Sequence, residues 1–124
     1  MAHGAAQAGL HPVLCAIGDS TFPHSGMTPL IGAAKADANM TVFLLDNATV
    51  AMTGGQATLA AGDDLVRVVE GLGVPKEHIK QIEPLAKYHA ENVATIKKEI
   101  EHRGLSVIIA RRACIQIKKP EKAK

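Results

Sequence analysis

Aromatic residues are almost missing from this chain: its 124 residues include no tryptophan, one tyrosine (Tyr88) and two phenylalanines (Phe22 and Phe43). A core must therefore be built from valine, isoleucine, leucine and close backbone contacts, an arrangement suited to helices lying tightly on a sheet. Cysteine is equally scarce. Cys15 and Cys114 stand far apart in apolar runs with no second cysteine at ligand spacing, so both read as buried free thiols and neither as a zinc or iron–sulfur ligand. No apolar run approaches the roughly 18 residues of a membrane span, and residues 1–10 lack the basic-then-apolar order of a targeting segment. No membrane association is expected, and the expected location is cytoplasmic. A strong charge of one sign is also lacking: 14 Lys and Arg against 12 Asp and Glu give a formal +2, with Lys118, Lys119, Lys122 and Lys124 crowded at the end. Without that tail the body is slightly acidic, which removes the basic face a nucleic-acid partner requires.

What is present is a chain 47% hydrophobic and 21% charged, enough for one folded domain over residues 1–117 followed by a basic solvated tail at 118–124. Three continuous apolar blocks have strand length: residues 12–17 (PVLCAI), 40–45 (MTVFLL) and 105–110 (LSVIIA). Continuous blocks, unlike alternating ones, fit parallel strands covered on both faces. Helical spacing fills the intervals. Leu30, Ile31 and Ala34 mark a helix over 27–39, and Leu65, Val69 and Leu72 one that Asp63 can cap. Leu85, His89, Val93, Ile96 and Ile100 form a stripe over 85–103, opposite Lys87, Glu91, Lys97, Lys98 and Glu101. His89 reads as half-buried, His78 and His102 as surface residues, and 79–82 as a short strand. The expected architecture is α/β: a three-layer, open, mostly parallel sheet with helices on both faces. Such sheets bind ligands beyond the carboxyl ends of their strands.

At those ends lie two polar loops, GDSTFPHSG over 18–26 and DNATVAMTGGQ over 46–56, while Arg111 and Arg112 come after the third block. Gly18 permits a sharp exit from the strand. Asp19 supplies a hard carboxylate, and the amides and hydroxyls of Ser20 and Thr21 are donors beside the positive end of the next helix. In the second loop Asn47 offers a neutral oxygen and Thr49 a backbone carbonyl, and Thr53, Gly54 and Gly55 form a flexible segment able to close over a ligand. Asp19 and Asn47 are 28 positions apart, about one strand–helix–strand repeat, so they fall at the ends of two neighbouring parallel strands and can reach one ion. One carboxylate with neutral oxygens makes a weak cage for magnesium or calcium, and magnesium tolerates this when phosphates complete its octahedron. The residues point to a metal-bridged diphosphate.

A GD dipeptide at a strand end, followed after just under thirty residues by an Asn behind a second apolar strand, resembles the thiamine diphosphate signature. Its usual form is GDG with a closing Asn pair; here Ser20 and Asp46 stand at the variant positions. With those departures the two loops resemble one branch, the alpha subunit of indolepyruvate ferredoxin oxidoreductase and related 2-oxoacid ferredoxin oxidoreductases, over residues 2–116. The resemblance implies the thiamine diphosphate-binding fold, with magnesium bound by the side chains of Asp19 and Asn47 and the carbonyl oxygen of Thr49. It also implies a diphosphate lined by Gly18, Ser20 and Thr21, and a cofactor-facing segment at Thr53, Gly54 and Gly55. His24, in the first loop, is a weaker candidate for proton transfer or substrate contact. The activity implied is oxidative decarboxylation of a 2-oxoacid such as an aryl pyruvate, with the acyl group released on coenzyme A and electrons passed to ferredoxin.

The same resemblance implies partners. The glutamate that activates the cofactor's pyrimidine belongs to another domain or subunit in the family, and the iron–sulfur clusters sit on absent domains or a beta/gamma subunit. The start, MAHGAAQAG, resembles a helix that in relatives comes after a longer amino-terminal part, so a truncated or separately encoded cofactor-binding piece, inactive alone, is expected. Two other readings stay open: the small subunit of a non-oxidative thiamine-dependent 2-oxoacid decarboxylase, and a non-catalytic nucleotide-binding α/β module.

Overall fold

A computed structural model of the chain describes residues 1–50 and 53–116; the expected tail at 118–124 lies outside them. In chain order the strands are β1 (Leu14–Gly18), β2 (Met40–Asp46), β3 (Thr49–Val50), β4 (Gln56–Ala57), β5 (Ile79–Ile82) and β6 (Leu105–Arg111). The helices are α1 (Ala2–Gln7), α2 (Met27–Lys35), α3 (Gly62–Gly71) and α4 (His89–Glu101). Four strands form one all-parallel sheet in the order β1-β2-β6-β5, and β3 with β4 forms a small antiparallel hairpin. The apolar blocks are therefore strands, as their length and continuity require.

Right-handed crossovers dictate the layers. From β1 through β2 to β5 the chain advances across the sheet, so α2 and α3 fall on one face; from β5 it steps back to β6, so α4 falls on the other. The first face carries the core. Leu30 and Ala33 of α2, Leu65 and Val69 of α3, and Ala2, Ala5 and Ala6 of α1 pack with Met40, Val42 and Leu44 of β2 and Leu105, Val107 and Ile109 of β6. Burying each Leu, Ile or Val contributes about 1.5–3 kcal/mol relative to exposure. With one phenylalanine, Phe22, fully buried, the core is indeed aliphatic.

The opposite face is held differently. Thr41 and Ser106 are register partners on β2 and β6, and both hydroxyls donate to the Glu99 main-chain carbonyl at 3.4 Å. The Glu99 side chain, 1% exposed, accepts from Ser106 Oγ at 3.0 Å and pairs with His78 Nδ1 at 2.8 Å, and Lys80 Nζ lies 3.9 Å away. His102 stacks on His78 with ring centroids 3.5 Å apart. Burial alone would raise the Glu99 pKa, but the hydrogen bonds from His78 and Ser106, with the charges of His78 and Lys80, hold it below the ordinary glutamate range. His78 and His102 are thus half-buried parts of a polar network and not plain surface residues, because the buried glutamate draws His78 in.

Several local expectations are corrected. The helix expected over 85–103 starts four residues later, after a 3₁₀ turn at Ala86–Tyr88, and His89 is exposed at its first position. The helix expected over 27–39 ends at Lys35, where the chain turns through Asp37 at φ 44°. Ala61, in extended conformation, precedes α3 without a side-chain cap; Asp63 sits in the first helical turn and pairs with Arg111 instead. β1 is covered on one face only. Cys15 and Ile17 join the core while Leu14 and Ala16 are exposed, because α4 lies over β2 and β6 and not over the edge strand. Both cysteines are half-buried, and burial pushes the Cys15 thiol above its ordinary pKa, which keeps it unreactive.

Candidate functional site

Parallel strands bring their carboxyl ends to one edge, and there β1, β2 and β6 deliver Gly18, Asp46 and Arg111 side by side, with Gly18 opposite Leu45 and Asp46 opposite Arg111. Asp19 comes next in the chain, its amide bonded to the Leu45 carbonyl at 3.0 Å as one more rung of the ladder. Its carboxylate, 2% exposed, accepts the Ala48 amide at 2.7 Å on Oδ2. Ala48 reaches it by adopting φ 60°, a left-handed conformation that a non-glycine residue rarely takes. Asn47 folds its side chain back so that Oδ1 accepts the Thr49 amide at 3.1 Å. Thr49 is buried and donates its hydroxyl to the Gln56 carbonyl at 3.1 Å, which fastens the loop to the hairpin. Asp19, Asn47 and Thr49 are thus gathered at one place by the pairing of β1 with β2.

The first loop winds helically from Phe22. A π-turn at Phe22–Gly26 runs directly into α2, and the Ser25 amide donates to the Thr21 carbonyl at 3.0 Å. The helical segment thus starts just past Ser20 and Thr21, and its first amides lack intrahelical partners. Gly26 is closely packed: a Cβ there would stand 2.6 Å from the Phe22 ring and 2.8 Å from Ile17. His24 is exposed, with Nδ1 against the Ser25 hydroxyl. Thr53, Gly54 and Gly55 form the hairpin tip. Thr53 and Gln56 bond each other at 3.1 and 3.0 Å, Gly55 donates to the Val50 carbonyl at 3.0 Å, and both glycines take positive φ. The hydrogen bonds of this segment stay within the hairpin.

Two residues that the sequence does not assign to the site meet at the same edge, Asp46 beside Asp19 and Arg111 paired with Asp46. Asp46 is 2% exposed; its Oδ2 accepts the Gly62 amide at 2.9 Å and Arg111 Nε at 3.0 Å. Arg111 Nη1 lies 3.4 Å from Asp63 Oδ1, and its Nη2 is buried without a partner. Asp46 and Arg111 are 65 positions apart, and the only signal of their pairing in the sequence is the placement of both at strand ends on one sheet edge. Burial raises the Asp19 pKa above the ordinary carboxylate value and the neighbouring Asp46 adds to the rise, against hydrogen bonds donated by the Ala48 and Asn47 amides.

The arrangement fits a divalent cation bound to a diphosphate. Of the two buried carboxylates only Asp46 is paired with the guanidinium, so the edge holds surplus negative charge at Asp19, and the remaining donors are hard neutral oxygens. Adjacent helical amides and the unpartnered Arg111 Nη2 suit anionic oxygens. No group of three His, Cys, Asp or Glu side chains able to hold a metal occurs among the described residues, which leaves a cation here dependent on neutral oxygens and on the ligand it bridges.

Fold and site together define a class. The structure matches Rhodococcus jostii RHA1 thiamine diphosphate-dependent 4-hydroxybenzoylformate decarboxylase with a TM-score of 0.67 over 90% of this chain and 22% of that one, at 21% identity. This is the fold of a thiamine diphosphate-binding domain. The family model "thiamine pyrophosphate enzyme, C-terminal TPP binding domain" matches residues 1–110, and the chain belongs to that family. Among curated proteins it is 34% identical over 116 residues to indolepyruvate oxidoreductase subunit IorA of Archaeoglobus fulgidus and 33% identical over 109 residues to that of Methanothermobacter thermautotrophicus. These alignments cover 82% and 80% of this chain, which spans only 17% of the length of either relative. The resemblance to the indolepyruvate oxidoreductase branch therefore stands, for this domain.

Proposed function

We propose that this chain is the magnesium- and diphosphate-binding part of a 2-oxoacid oxidoreductase that decarboxylates an aryl pyruvate such as indolepyruvate and delivers the acyl group to coenzyme A. The observation that carries the reading is the meeting of Asp19 with the 47–49 loop through the 2.7 Å bond from the Ala48 amide. Asp19, Asn47 and the Thr49 carbonyl hold the cation. Gly18, Ser20 and Thr21 line the diphosphate, and Thr53, Gly54 and Gly55 face the cofactor. When bound, thiamine diphosphate supplies the electron sink for decarboxylation, and the protein's part is to orient it. The anionic surplus of the buried Asp19 and Asp46 carboxylates balances the divalent charge. His24, exposed on the first loop, is the chain's candidate for contacting substrate or moving a proton.

Asp46, in place of the family's first Asn, is paired with Arg111. The pyrimidine-binding domain or subunit, the beta/gamma subunit and ferredoxin are partners of the assembled enzyme, in the cytoplasm, and any iron–sulfur clusters reside on them. No helix among the described residues is long and apolar enough to cross a membrane. The domain alone is inactive in turnover. Thermal-shift titration tests the site: thiamine diphosphate with magnesium raises the melting temperature of the wild type, and Asp19→Ala abolishes the rise. A full rise in Asp19→Ala overturns the assignment, and stabilisation by a nucleotide but not by thiamine diphosphate favours the nucleotide-binding alternative.

A further inference from the structure

We infer that Arg111 is a positioning residue for the proposed cation site: by holding Asp46 it sets the 47–49 loop against Asp19 and reserves the Asp19 carboxylate for the cation. This rests on the reading of that loop as a cation and diphosphate site. Asp46 is the last residue of β2 and lies in register with Arg111, the last of β6, so their side chains are neighbours across the strands. Asp46 is gripped through both side chain and main chain. Its carboxylate accepts Arg111 Nε at 3.0 Å and the Gly62 amide at 2.9 Å, and its main-chain carbonyl accepts the Arg112 amide at 3.0 Å. β6 and the start of α3 thereby fix the residue immediately before Asn47.

The grip acts on the strained turn at Ala48, two residues further along the chain. Ala48 must hold φ 60° to direct its amide at Asp19, a left-handed conformation that is strained for a residue with a Cβ. A strained residue persists only where its surroundings over-determine it. Downstream the β3–β4 pairing supplies that restraint, the Asn47 Oδ1 bond to the Thr49 amide spans the turn itself, and upstream the Asp46 grip anchors the end of β2. Charge gives Arg111 a second task. Asp19 and Asp46 are equally buried, and a guanidinium committed to Asp46 decides which carboxylate is left to meet a divalent cation. The planar fork reaches Asp46 through Nε and Asp63 through Nη1 at once, which a lysine ammonium cannot do.

Amide hydrogen exchange and magnesium titration on the same samples separate positioning from plain stabilisation. In Arg111→Met, protection of the Ala48 amide is expected to fall about tenfold while Val42 and Val107 in the sheet keep theirs. The magnesium Kd, measured with thiamine diphosphate present, is expected to rise about tenfold, as for outer-shell partners of metal ligands. Arg111→Lys recovers part of both effects, and Asp63→Asn, at an exposed position, leaves both within about twofold. Should Arg111→Met not fold, the isosteric Asp46→Asn carries the same comparison. Unchanged Ala48 protection, or a loss shared equally with Val42 and Val107, overturns the inference. A wild type that binds thiamine diphosphate without regard to magnesium overturns the cation-site reading instead, and the Ala48 exchange still judges the grip.

Discussion

Glu99 offers the sharpest quantitative test of how the sheet is held. It is a carboxylate 1% exposed, tied to Ser106 at 3.0 Å and His78 at 2.8 Å with Lys80 at 3.9 Å. Glu99→Gln keeps the shape and removes the charge, so Lys80 loses its anion and His78 and Ser106 lose a carboxylate acceptor. Removing one member of a buried pair costs about 3–5 kcal/mol. The partner side chains of His78 and Lys80 are 23% and 32% exposed, so water recovers part of the loss and about 2–3 kcal/mol is expected. For a domain of this length that lowers Tm by about 8–12 °C. The pH dependence has a definite sign. Glu99 is held below the ordinary glutamate value of 4.5, so its contribution is complete above that pH and is lost as pH falls through the lower folded value. The gap between wild type and variant in denaturant melts is therefore wide at neutral pH and closes in acid, as pH falls below the ordinary glutamate value. A Glu99→Gln protein as stable as wild type at pH 7, or a gap that does not change with pH, refutes this account of α4 docking.

Four further outcomes come from the packing and the loops. Gly26→Ala places a Cβ 2.6 Å from the Phe22 ring, and overpacking of this kind costs about 1–3 kcal/mol, read as a lower midpoint in urea. Gly104→Ala combines φ 157° with a Cβ 2.9 Å from Asp37 Oδ1, and Asp37 also accepts the Leu105 amide at 3.3 Å; calorimetry is expected to show a loss of similar size, about 1–3 kcal/mol. Ala48→Gly relieves the φ 60° strain while keeping the amide, so Tm rises by a few degrees, about 0.5–1 kcal/mol, with magnesium-dependent binding retained. Ala48→Pro removes the amide and forbids positive φ, and binding is lost.

How far these features are legible in the sequence depends on the range of the interactions. Continuous apolar blocks and 3.6-residue periodicity are local, and they locate the sheet, its parallel character and the loops at its carboxyl edge. Long-range polar pairing is not local. Glu99 sits in sequence among Lys97, Lys98 and Glu101 at the margin of the apolar stripe of α4, and what buries it is its contact with β2, β5 and β6. A signal for it does exist: Thr41 and Ser106 each place a hydroxyl at the second position of an otherwise apolar strand, and in parallel register these become one polar step under the helix. His78 looks like a surface residue for the same reason, since the glutamate that draws it in is 21 positions away, and His102 is half-buried through its stacking on His78. At the site, strand-end positions correctly group Asp19 with Asn47 and Thr49, whereas Asp46 and Arg111 gain meaning only once β2 and β6 are known to be neighbours.

The most direct test of the central claim locates the cation. Manganese, a paramagnetic substitute for magnesium, is added in small steps to labelled protein in the presence of thiamine diphosphate, and amide signals are followed by NMR. A cation held between the two loops broadens Asp19, Asn47, Ala48 and Thr49 first, ahead of every amide at the opposite edge of the sheet, and Asp19→Ala abolishes the selectivity. Broadening that begins instead around the exposed acidic residues of α3 and α4, or that is the same with Asp19 removed, contradicts it.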